Sequence, residues 1–232
     1  MTGTDTGAGK TALTAILVAG ARAAGLDAVP MKPVQTGVPP RRGPAGDLRV
    51  VARAAGWRPG PGETDLVSPF RFRPACSPHR ASALAGRAIG FGTVLRAFRS
   101  LRARHEAVIV EGAGGVLAPV AGRRTMLDLM EALRLPVLVA ARPGLGTLNH
   151  TMLTCGAIRA RGLDVAGVVL VQSEPGRWSP LMEDNRRTLL RFGVPVLGRL
   201  PHMPAFARDP RAACLRVLAR PATRWIAPLL RP

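Results

Sequence analysis

Lysine is scarce in this chain of 232 residues, where Lys10 and Lys32 are the only two lysines beside 31 arginines. A GC-rich genome would favour arginine in this way. An arginine fork does not replace a compact ammonium in a confined site. Both lysines also lie in glycine- and threonine-containing stretches, TGTDTGAGKT and MKPVQTG. We therefore expect each lysine to mark a site for phosphate or carboxylate groups.

Aromatic residues are also few, at 4% of the chain, and tyrosine is absent. The net charge of +19 favours contacts with polyanions, because basic side chains displace counterions from phosphate backbones. The charge is nevertheless scattered. Its densest points are the doublets Arg41-Arg42, Arg123-Arg124 and Arg186-Arg187 and the stretch from Arg96 to Arg104. With neither a concentrated basic stripe nor aromatic stacking platforms, the sequence argues against specific nucleic-acid binding.

The chain also has only three cysteines, no long apolar run and no secretory pattern. Cys76, Cys155 and Cys214 are far apart and match no metal-ligand spacing, which indicates free thiols in a reducing cytoplasm. No apolar run approaches the roughly 20 residues that a membrane-spanning helix needs. The N-terminus lacks a charged segment followed by an apolar one, so we expect a cytoplasmic protein without a membrane partner.

Apolar stretches alternate with helical patterns along the chain, which is typical of an α/β fold with a mostly parallel sheet. The length suits one sizeable core and no linker divides it, so we predict a single domain over residues 1–232. The predicted strands cover 28–31, 107–110, 137–141, 165–171 and 196–197. The predicted helices cover 11–24, 47–55, 91–104, 126–133, 148–161 and 181–191. We predict irregular structure over 58–78, and short helices and coil over the last 30 residues.

The start of the sheet is unusual. A phosphate-binding loop normally follows a buried strand, but only Met1 and Thr2 precede Gly3 here. A central parallel strand carries a ladder of hydrogen bonds and much core burial. We therefore expect the first strand to be missing or truncated, because the chain starts about six residues late or because another segment fills the gap. We favour a late start, and we expect an added apolar N-terminal extension to improve expression.

The stretch from Gly3 to Thr11 has the composition of a phosphate-binding loop that opens a helix. Glycines let backbone N–H groups turn towards phosphate oxygens, and the helix start adds its positive dipole end. Lys10 would reach the β- and γ-phosphates, and the Thr11 hydroxyl would bind Mg²⁺. The alternative is a glycine-rich turn that caps a helix, but the strong helical pattern after GKT favours nucleotide binding.

Two further stretches follow predicted strands, at the edge where open α/β sheets bind ligands. Lys32 begins KPVQTG, in which Pro33 restricts the backbone and helps to aim the ammonium; by spacing alone, a surface turn is equally compatible. Glu111 begins EGAGG, whose glycines permit close approach to an anion. Mg²⁺ commonly takes one or two carboxylates, and Glu111 is the best candidate. Asp47 is the second, with a helix N-cap as its alternative role.

The set GTDTxxGKT, KPVQTG, SPH, VEGAGG and LGTLNH, in this order, resembles the dethiobiotin synthetases, and the likeness extends from Gly3 to about Pro204. These enzymes use ATP and Mg²⁺ to close the ureido ring in biotin biosynthesis. The resemblance implies that 7,8-diaminononanoate and CO₂ form a carbamate, which ATP phosphorylates before the second amine closes the ring. It also implies a homodimer and a P-loop NTPase-like fold with helices on both faces of the sheet.

The resemblance assigns roles to matching positions. Lys32 matches the active-site lysine and would hold the carbamate, while Lys10 would neutralise the phosphates. Thr36 matches a substrate-contacting hydroxyl, and Ser77 would be an additional donor. The implied metal-binding positions are Thr11, Asp47 and Glu111. The implied nucleotide-contacting positions in the two glycine-rich stretches are Gly7, Ala8, Gly9, Lys10, Thr11, Ala12, Glu111, Gly112, Ala113 and Gly114.

The resemblance also implies contacts to the carboxylate of the substrate and to the base of the nucleotide. The start of a helix would receive the substrate carboxylate across the dimer interface, and the helix dipole also favours an anion there. This helix start comprises Leu145, Gly146, Thr147, Leu148 and Asn149. The positions implied to contact the nucleotide base are Val171, Gln172, Leu200, Pro201 and His202. Two departures stand out. Gly7 lies where some members have Glu, and Val171-Gln172-Ser173 lies where many have Asn-Asp, which leaves nucleotide preference open.

The main alternative belongs to another functional class, the P-loop ATPases of the partitioning or positioning type that bind DNA or membrane through basic surface. The high net charge favours it. The stretches KPVQTG, SPH and VEGAGG disfavour it, as does the lack of an additional lysine early in the phosphate loop. A related amidating synthetase would carry a glutamine-hydrolysing domain, for which the chain is too short.

Overall fold

The structure is a computed structural model that describes residues 1–39 and 43–229. The doublet Arg41-Arg42 lies outside the described residues. The described strands are β1 Thr2–Gly3, β2 Ala28–Met31, β3 Val34–Gln35, β4 Phe70–Arg71, β5 Ala107–Val110, β6 Pro119–Ala121, β7 Arg124–Thr125, β8 Val137–Ala141, β9 Val165–Val171 and β10 Val196–Leu200. The described α-helices are α1 Lys10–Ala23, α2 Gly46–Ala55, α3 Glu63–Val67, α4 Pro78–Leu84, α5 Phe91–Arg102, α6 Met126–Leu133, α7 Thr147–Ala160, α8 Pro180–Arg191, α9 Pro210–Leu218 and α10 Ile226–Leu229.

The central layer is built from parallel strands. Strands β1, β8, β9 and β10 form one sheet in that order, and β2 pairs with β5 in parallel from Ala28 opposite Ala107 to Met31 opposite Val110. A parallel pair β3–β4 and an antiparallel hairpin β6–β7 lie outside this layer. The predicted α/β fold with a mostly parallel sheet is therefore confirmed.

The first strand is present as two residues. Thr2 and Gly3 pair with Val139 and Ala140 of β8. On the other side, the Met1 amine donates to the Val110 carbonyl at 2.7 Å, and the Met1 carbonyl accepts from Gly112 at 3.0 Å. These bonds connect the β2–β5 pair to the four-stranded sheet just before the phosphate loop. The strand expected to be missing or truncated is therefore a short one that supports the loop directly.

Helices cover both faces of the sheet. In β8, Val137 and Val139 point into one apolar cluster with α5, α6 and α7, whereas Leu138 and Ala140 point into another with α1 and α9. Side chains alternate between faces along a strand, so an unbroken apolar run fits a strand buried on both sides. None of the helices in the described part of the chain is long and apolar enough to cross a membrane.

Most predicted elements agree with the structure, and the region 58–78 is the main exception. There the prediction of irregular structure is wrong, because it contains α3 and β4. Helix α3 begins after Gly62, whose φ of 74° lies in the left-handed region. Strand β4 pairs with β3, so its ladder partner lies far away in sequence. The predicted helix 91–104 ends earlier, at Arg102, and the predicted strand 196–197 extends to Leu200.

Candidate active site

The phosphate-binding loop lies between β1 and α1, at the carboxyl end of the sheet. Gly9 precedes α1 with φ 87°, and a Cβ there would overlap the Val171 side chain, so this position requires glycine. Lys10 is 8% exposed, and its ammonium donates to the Asp5 carbonyl at 2.9 Å. The Asp5 carboxylate accepts from the Thr6 N–H at 2.7 Å and from Arg142 at 3.1 Å. The loop is thereby held in a turned conformation around the ammonium.

Lys32 and Glu111 meet because each directly follows one of two neighbouring parallel strands, β2 and β5. The Lys32 ammonium lies 2.6 Å from Glu111 Oε1 and 2.7 Å from Asp47 Oδ2. Lys32 is 4% exposed and Glu111 2% exposed. The sequence thus brings one ammonium and two carboxylates together from three separate stretches of chain.

The two lysines have opposite electrostatic environments. Burial lowers the pKa of Lys10 below its usual range, and the positive charge of Lys32 lowers it further. Burial also opposes the charged form of Lys32, but the neighbouring carboxylates of Glu111 and Asp47 outweigh it and raise the pKa of that ammonium. Although burial alone would raise the pKa of Asp47, Lys32 lowers it overall. Lys32 is therefore held as a cation between anions.

Asp47 lies in the first turn of α2, whose N-cap residue is Ala45. The alternative role of Asp47 as the N-cap is therefore wrong. Gly46 has φ 51°, and a Cβ at that position would come within 2.8 Å of Gln35 Nε2, so this turn packs tightly against β3. Gln35 Nε2 in turn lies 3.5 Å from Asp47 Oδ2. The tight turn brings the Asp47 carboxylate to Lys32.

The three predicted metal-binding residues present hard oxygen atoms near one point. The Thr11 hydroxyl donates to Glu111 Oε1 at 3.0 Å, and Lys32 contacts both Glu111 and Asp47. A hydroxyl and two carboxylates fit the ligand preference of Mg²⁺, which completes its shell with phosphates and water. No cluster of three or more His, Cys, Asp or Glu side chains with metal-site spacing occurs within residues 1–39 and 43–229. The role of Thr11, Asp47 and Glu111 as metal ligands therefore stays a prediction.

A cavity of about 1100 Å³ opens over these groups. Thr36 and Ser77, whose substrate contacts stay a prediction, line it, and Ser77 Oγ lies 3.1 Å from His79 Nδ1. Ala8 and Gly112 do not line it: Ala8 is fully buried, and Gly112 lies against Met1 and Met126. The other predicted residues along this cavity are Gly7, Gly9, Lys10, Thr11, Ala12, Lys32, Asp47, Glu111, Ala113 and Gly114.

A second cavity, of about 490 Å³, involves the predicted base-contacting residues. Gln172, Pro201 and His202 line it, whereas Val171 and Leu200 are buried beneath. Gln172 Nε2 donates to the Gly176 carbonyl at 2.9 Å, which fixes its amide. The sequence-based prediction did not include Trp178, Arg199, Arg220 and Thr223, which also line this cavity. The Arg199 guanidinium lies 5.0 Å from the centre of the Trp178 ring.

The predicted carboxylate-binding helix start, 145–149, does not line the large cavity of its own chain. It forms the beginning of α7, where Gly146 has φ 87° and Leu145 is 94% exposed. Its loop is anchored by Asn185, which is 5% exposed and donates to the carbonyls of Pro143 at 3.0 Å and Gly144 at 3.3 Å. The prediction places this segment against a partner subunit, so its role stays a prediction.

The sequence reasoning missed several residues that line the large cavity. Asp5 and Gln35 lie inside the recognised stretches, so their motifs offered a signal. His150 lies in the recognised stretch LGTLNH and lines the cavity as well. Leu153 comes from the exposed face of α7, and Phe206 comes from the segment before α9. No local pattern marks Leu153 or Phe206, because the fold alone brings them to the cavity.

Comparisons with known proteins identify relatives over most of the chain. A family model described as an AAA domain matches residues 1–209. An ATP-dependent dethiobiotin synthetase of Anaeromyxobacter sp. (strain Fw109-5) is 51% identical over 91% of this chain and 92% of its own length. A protein of the same name from Bacillus velezensis is 34% identical over 88% of this chain and 85% of its own length.

Solved structures show the same fold at much lower sequence identity. A MinC:MinD cell division protein complex of Aquifex aeolicus matches with a TM-score of 0.63 and 12% identity, over 99% of this chain and 92% of that chain. Apo McdA of Cyanthece matches with a TM-score of 0.57 and 11% identity, over 95% of this chain and 92% of that chain. Likenesses this distant concern the fold alone, so they lend no support to a partitioning or positioning function.

Proposed function

The chain belongs to the family of ATP-dependent dethiobiotin synthetases, and on this premise we propose that it forms dethiobiotin from 7,8-diaminononanoate, CO₂ and ATP. The observation that carries the proposal is the cluster of Lys32, Glu111, Asp47 and Thr11 beside the phosphate loop. It combines an anion-binding ammonium with a cation-binding oxygen set in one cavity. That is what phosphoryl transfer to a carbamate requires.

Lys32 would hold the carbamate that forms from one substrate amine and CO₂. Its ammonium is buried, its pKa is raised by Glu111 and Asp47, and it would move on its four-carbon chain from Glu111 towards an incoming anion. The Thr36 and Ser77 hydroxyls line the same cavity and would donate hydrogen bonds to the substrate. Held in this way, the carbamate oxygen would attack the γ-phosphorus of ATP, and ADP would leave.

Lys10 and the turned glycine loop would bind the nucleotide phosphates. The ammonium is already directed into the loop by the Asp5 carbonyl, and the start of α1 adds its positive dipole end. After phosphoryl transfer, the second amine would attack the carbamoyl carbon, and phosphate would leave as the ring closes. The N–H groups of Ala113 to Gly115 would stabilise the developing negative charge.

Thr11, Asp47 and Glu111 would hold Mg²⁺. When bound there, Mg²⁺ would supply charge neutralisation for the β- and γ-phosphates. This proposal depends on the positions of the oxygen atoms. Glu111 Oε1 accepts a hydrogen bond from the Thr11 hydroxyl, and the Glu111 and Asp47 carboxylates both contact the Lys32 ammonium.

The remaining parts of the substrates would lie at the edges of the site. The base would occupy the second cavity, where Gln172 offers its amide oxygen and His202 its ring. The substrate carboxylate would reach the start of α7 in a partner subunit, as the likeness to the dethiobiotin synthetases implies. We therefore propose a homodimer, acting as a cytoplasmic enzyme with one P-loop α/β domain in each chain.

One assay tests the proposal. The purified protein is incubated with ATP, Mg²⁺ and bicarbonate, with and without 7,8-diaminononanoate, and phosphate and dethiobiotin are measured. We expect phosphate release to depend on the diamine and to match dethiobiotin in amount. Phosphate release that does not depend on the diamine and increases with added DNA would contradict the proposal and favour a partitioning-type ATPase.

A further inference from the structure

A cationic groove lies away from the proposed active site, between α2 and the start of α9. It has a volume of about 500 Å³ and shares no lining residue with the large cavity. Four arginines line it, namely Arg49, Arg53, Arg58 and Arg211. None of its described lining residues is acidic. We call this surface the arginine groove.

The fold brings these arginines together from three stretches of chain. Arg49 and Arg53 are four residues apart on α2, so they lie on the same helix face. The helix ends at Gly56, with φ 60°, and the chain then places Arg58 at the rim of the groove. Arg211 reaches across from α9, where its Nη1 lies only 2.7 Å from the position that a Cβ of Gly56 would take. A side chain at Gly56 would displace this guanidinium.

Among the described residues, the guanidiniums of the arginine groove have no carboxylate partner. Within residues 1–39 and 43–229, none of the four forms an ion pair, and Arg53 donates only to the Arg208 carbonyl at 2.8 Å. The nearest carboxylate in sequence to Arg211 belongs to Asp209, which caps α9 by accepting from the Ala212 N–H. Like charges that share a groove repel one another, and an anion with several charges relieves that repulsion.

The shape and chemistry of the arginine groove identify the class of ligand. Guanidinium groups match the oxygens of phosphate groups in bidentate geometry. A volume of about 500 Å³ exceeds the space of one phosphate and lies in the range of small-molecule sites. Trp57 also lines the groove but is only 6% exposed, so it offers little surface for base stacking. We propose that the arginine groove binds a small oligophosphate, a molecule with two or more linked phosphate groups, at a site separate from the nucleotide site.

Calorimetric titration with tripolyphosphate tests this proposal on the full chain. The test variant carries Arg49→Gln, Arg58→Gln and Arg211→Gln together, and it retains Arg53 because that side chain also holds the Arg208 carbonyl. The control carries Arg99→Gln, Arg104→Gln and Arg177→Gln, three exposed arginines outside the groove, and so has the same net charge. The phosphate loop, which we expect to bind tripolyphosphate as well, is unchanged in all three proteins. Thermal unfolding verifies that each variant is folded.

We expect two classes of site in the wild type and in the control, and loss or at least about tenfold weakening of one class in the groove variant. Equal binding by all three proteins, or equal weakening in both variants, would overturn the proposal, since the effect would then reflect the phosphate loop or overall charge. A single-stranded oligonucleotide that bound the groove more tightly than tripolyphosphate would assign the groove to nucleic acid instead, which also overturns it.

Discussion

Strands β2 and β5 carry a basic side chain between two carboxylates at each of their ends. At the carboxyl end, Lys32 follows β2 and lies between Glu111, which follows β5, and Asp47. At the amino end, His105 precedes β5 and lies between the carboxylates of Asp27 and Glu63. A basic group between two carboxylates therefore occurs twice on one pair of strands.

The two ends differ in what surrounds the ions. The His105 ring contacts Asp27 Oδ2 at 2.8 Å through Nδ1 and Glu63 Oε1 at 2.6 Å through Nε2, so both nitrogens donate when the ring is protonated. This cluster connects the residue before β2 to α3, and the Asp27 side chain in it is 49% exposed. The Lys32 cluster instead faces the large cavity and the phosphate loop. In a parallel sheet, ligands bind at the carboxyl ends of the strands, and there an ion cluster can exchange one partner for a substrate.

The largest expected difference between the two ends is in catalysis. We predict that Lys32→Arg lowers diamine-dependent turnover by about 10³-fold, because a planar guanidinium displaces the charge that must meet the carbamate. The affinity for ATP should change by less than about threefold, since Lys10 and the loop are untouched. Steady-state kinetics and nucleotide titration measure the two effects. His105→Gln is the matched control and should retain turnover within about twofold. Near-normal turnover of Lys32→Arg would remove Lys32 from its proposed role.

Substitutions in the phosphate loop, at the carboxyl end of the sheet, should have the next largest effect. Gly9 and Gly7 both have positive φ, but a Cβ at Gly9 would overlap Val171, whereas a Cβ at Gly7 would meet nothing within 4 Å. We predict that Gly9→Ala destabilises the protein by about 2 kcal/mol more than Gly7→Ala, because only Gly9→Ala adds overlap to backbone strain. Urea denaturation of both variants measures this difference, and ATP binding should weaken more in Gly9→Ala. Equal stability of the two variants would mean that the loop adjusts to the added side chain.

Loss of a carboxylate should change the Mg²⁺ requirement of the enzyme at the carboxyl end of the strands and not at the amino end. We predict that Glu111→Gln raises the Mg²⁺ concentration for half-maximal activity by about tenfold, because one of the two proposed carboxylate ligands is lost. Glu63→Gln at the amino end should leave this concentration unchanged. The measurement is phosphate release during a Mg²⁺ titration at saturating ATP. A parallel shift in both variants would point to a general loss of stability.

The smallest expected effect is the pH dependence of stability at the amino end. Burial alone would lower the pKa of His105, but its bonds to Asp27 and Glu63 outweigh burial and raise it above the usual 6.5. The ion pairs therefore stabilise the folded protein fully below pH 6.5, and this contribution is lost as the pH rises through the raised pKa. Arg22 also contacts Asp27 and stays charged in this range, whereas Glu106 accepts the Asp27 N–H.

Replacement of the ring tests this assignment. We predict that His105→Gln unfolds at a lower temperature than the wild type at pH 6, and that the difference narrows towards pH 8.5. Thermal unfolding across that range is the measurement, and Lys32→Arg provides a comparison from the other end. A difference that is constant with pH would show that His105 acts by packing rather than by charge.

The carboxyl end could be predicted from sequence because its residues lie in local patterns. Lys32 and Glu111 each follow an apolar strand directly, and the glycines of the phosphate loop mark Lys10. The amino end offered no such pattern. Asp27, Glu63 and His105 are 36 and 42 residues apart, and Glu63 lies in a region predicted to be irregular. Its helix forms because it packs against α5 and β2, a contact that local sequence does not reveal.

Local sequence by itself determined most of the longer strands and helices and the carboxyl-end motifs, because strand alternation, helix periodicity and glycine turns depend on neighbouring residues. Helix α3 and strand β4 depend instead on partners far away in sequence. The register of β2 and β5, the convergence of Asp47 with Lys32, and the meeting of four arginines between α2 and α9 were decided only by the tertiary structure. These contacts join residues far apart in sequence. Their partners are selected by burial of the apolar faces between them, so the charges at the ends of the elements meet as a consequence of core packing.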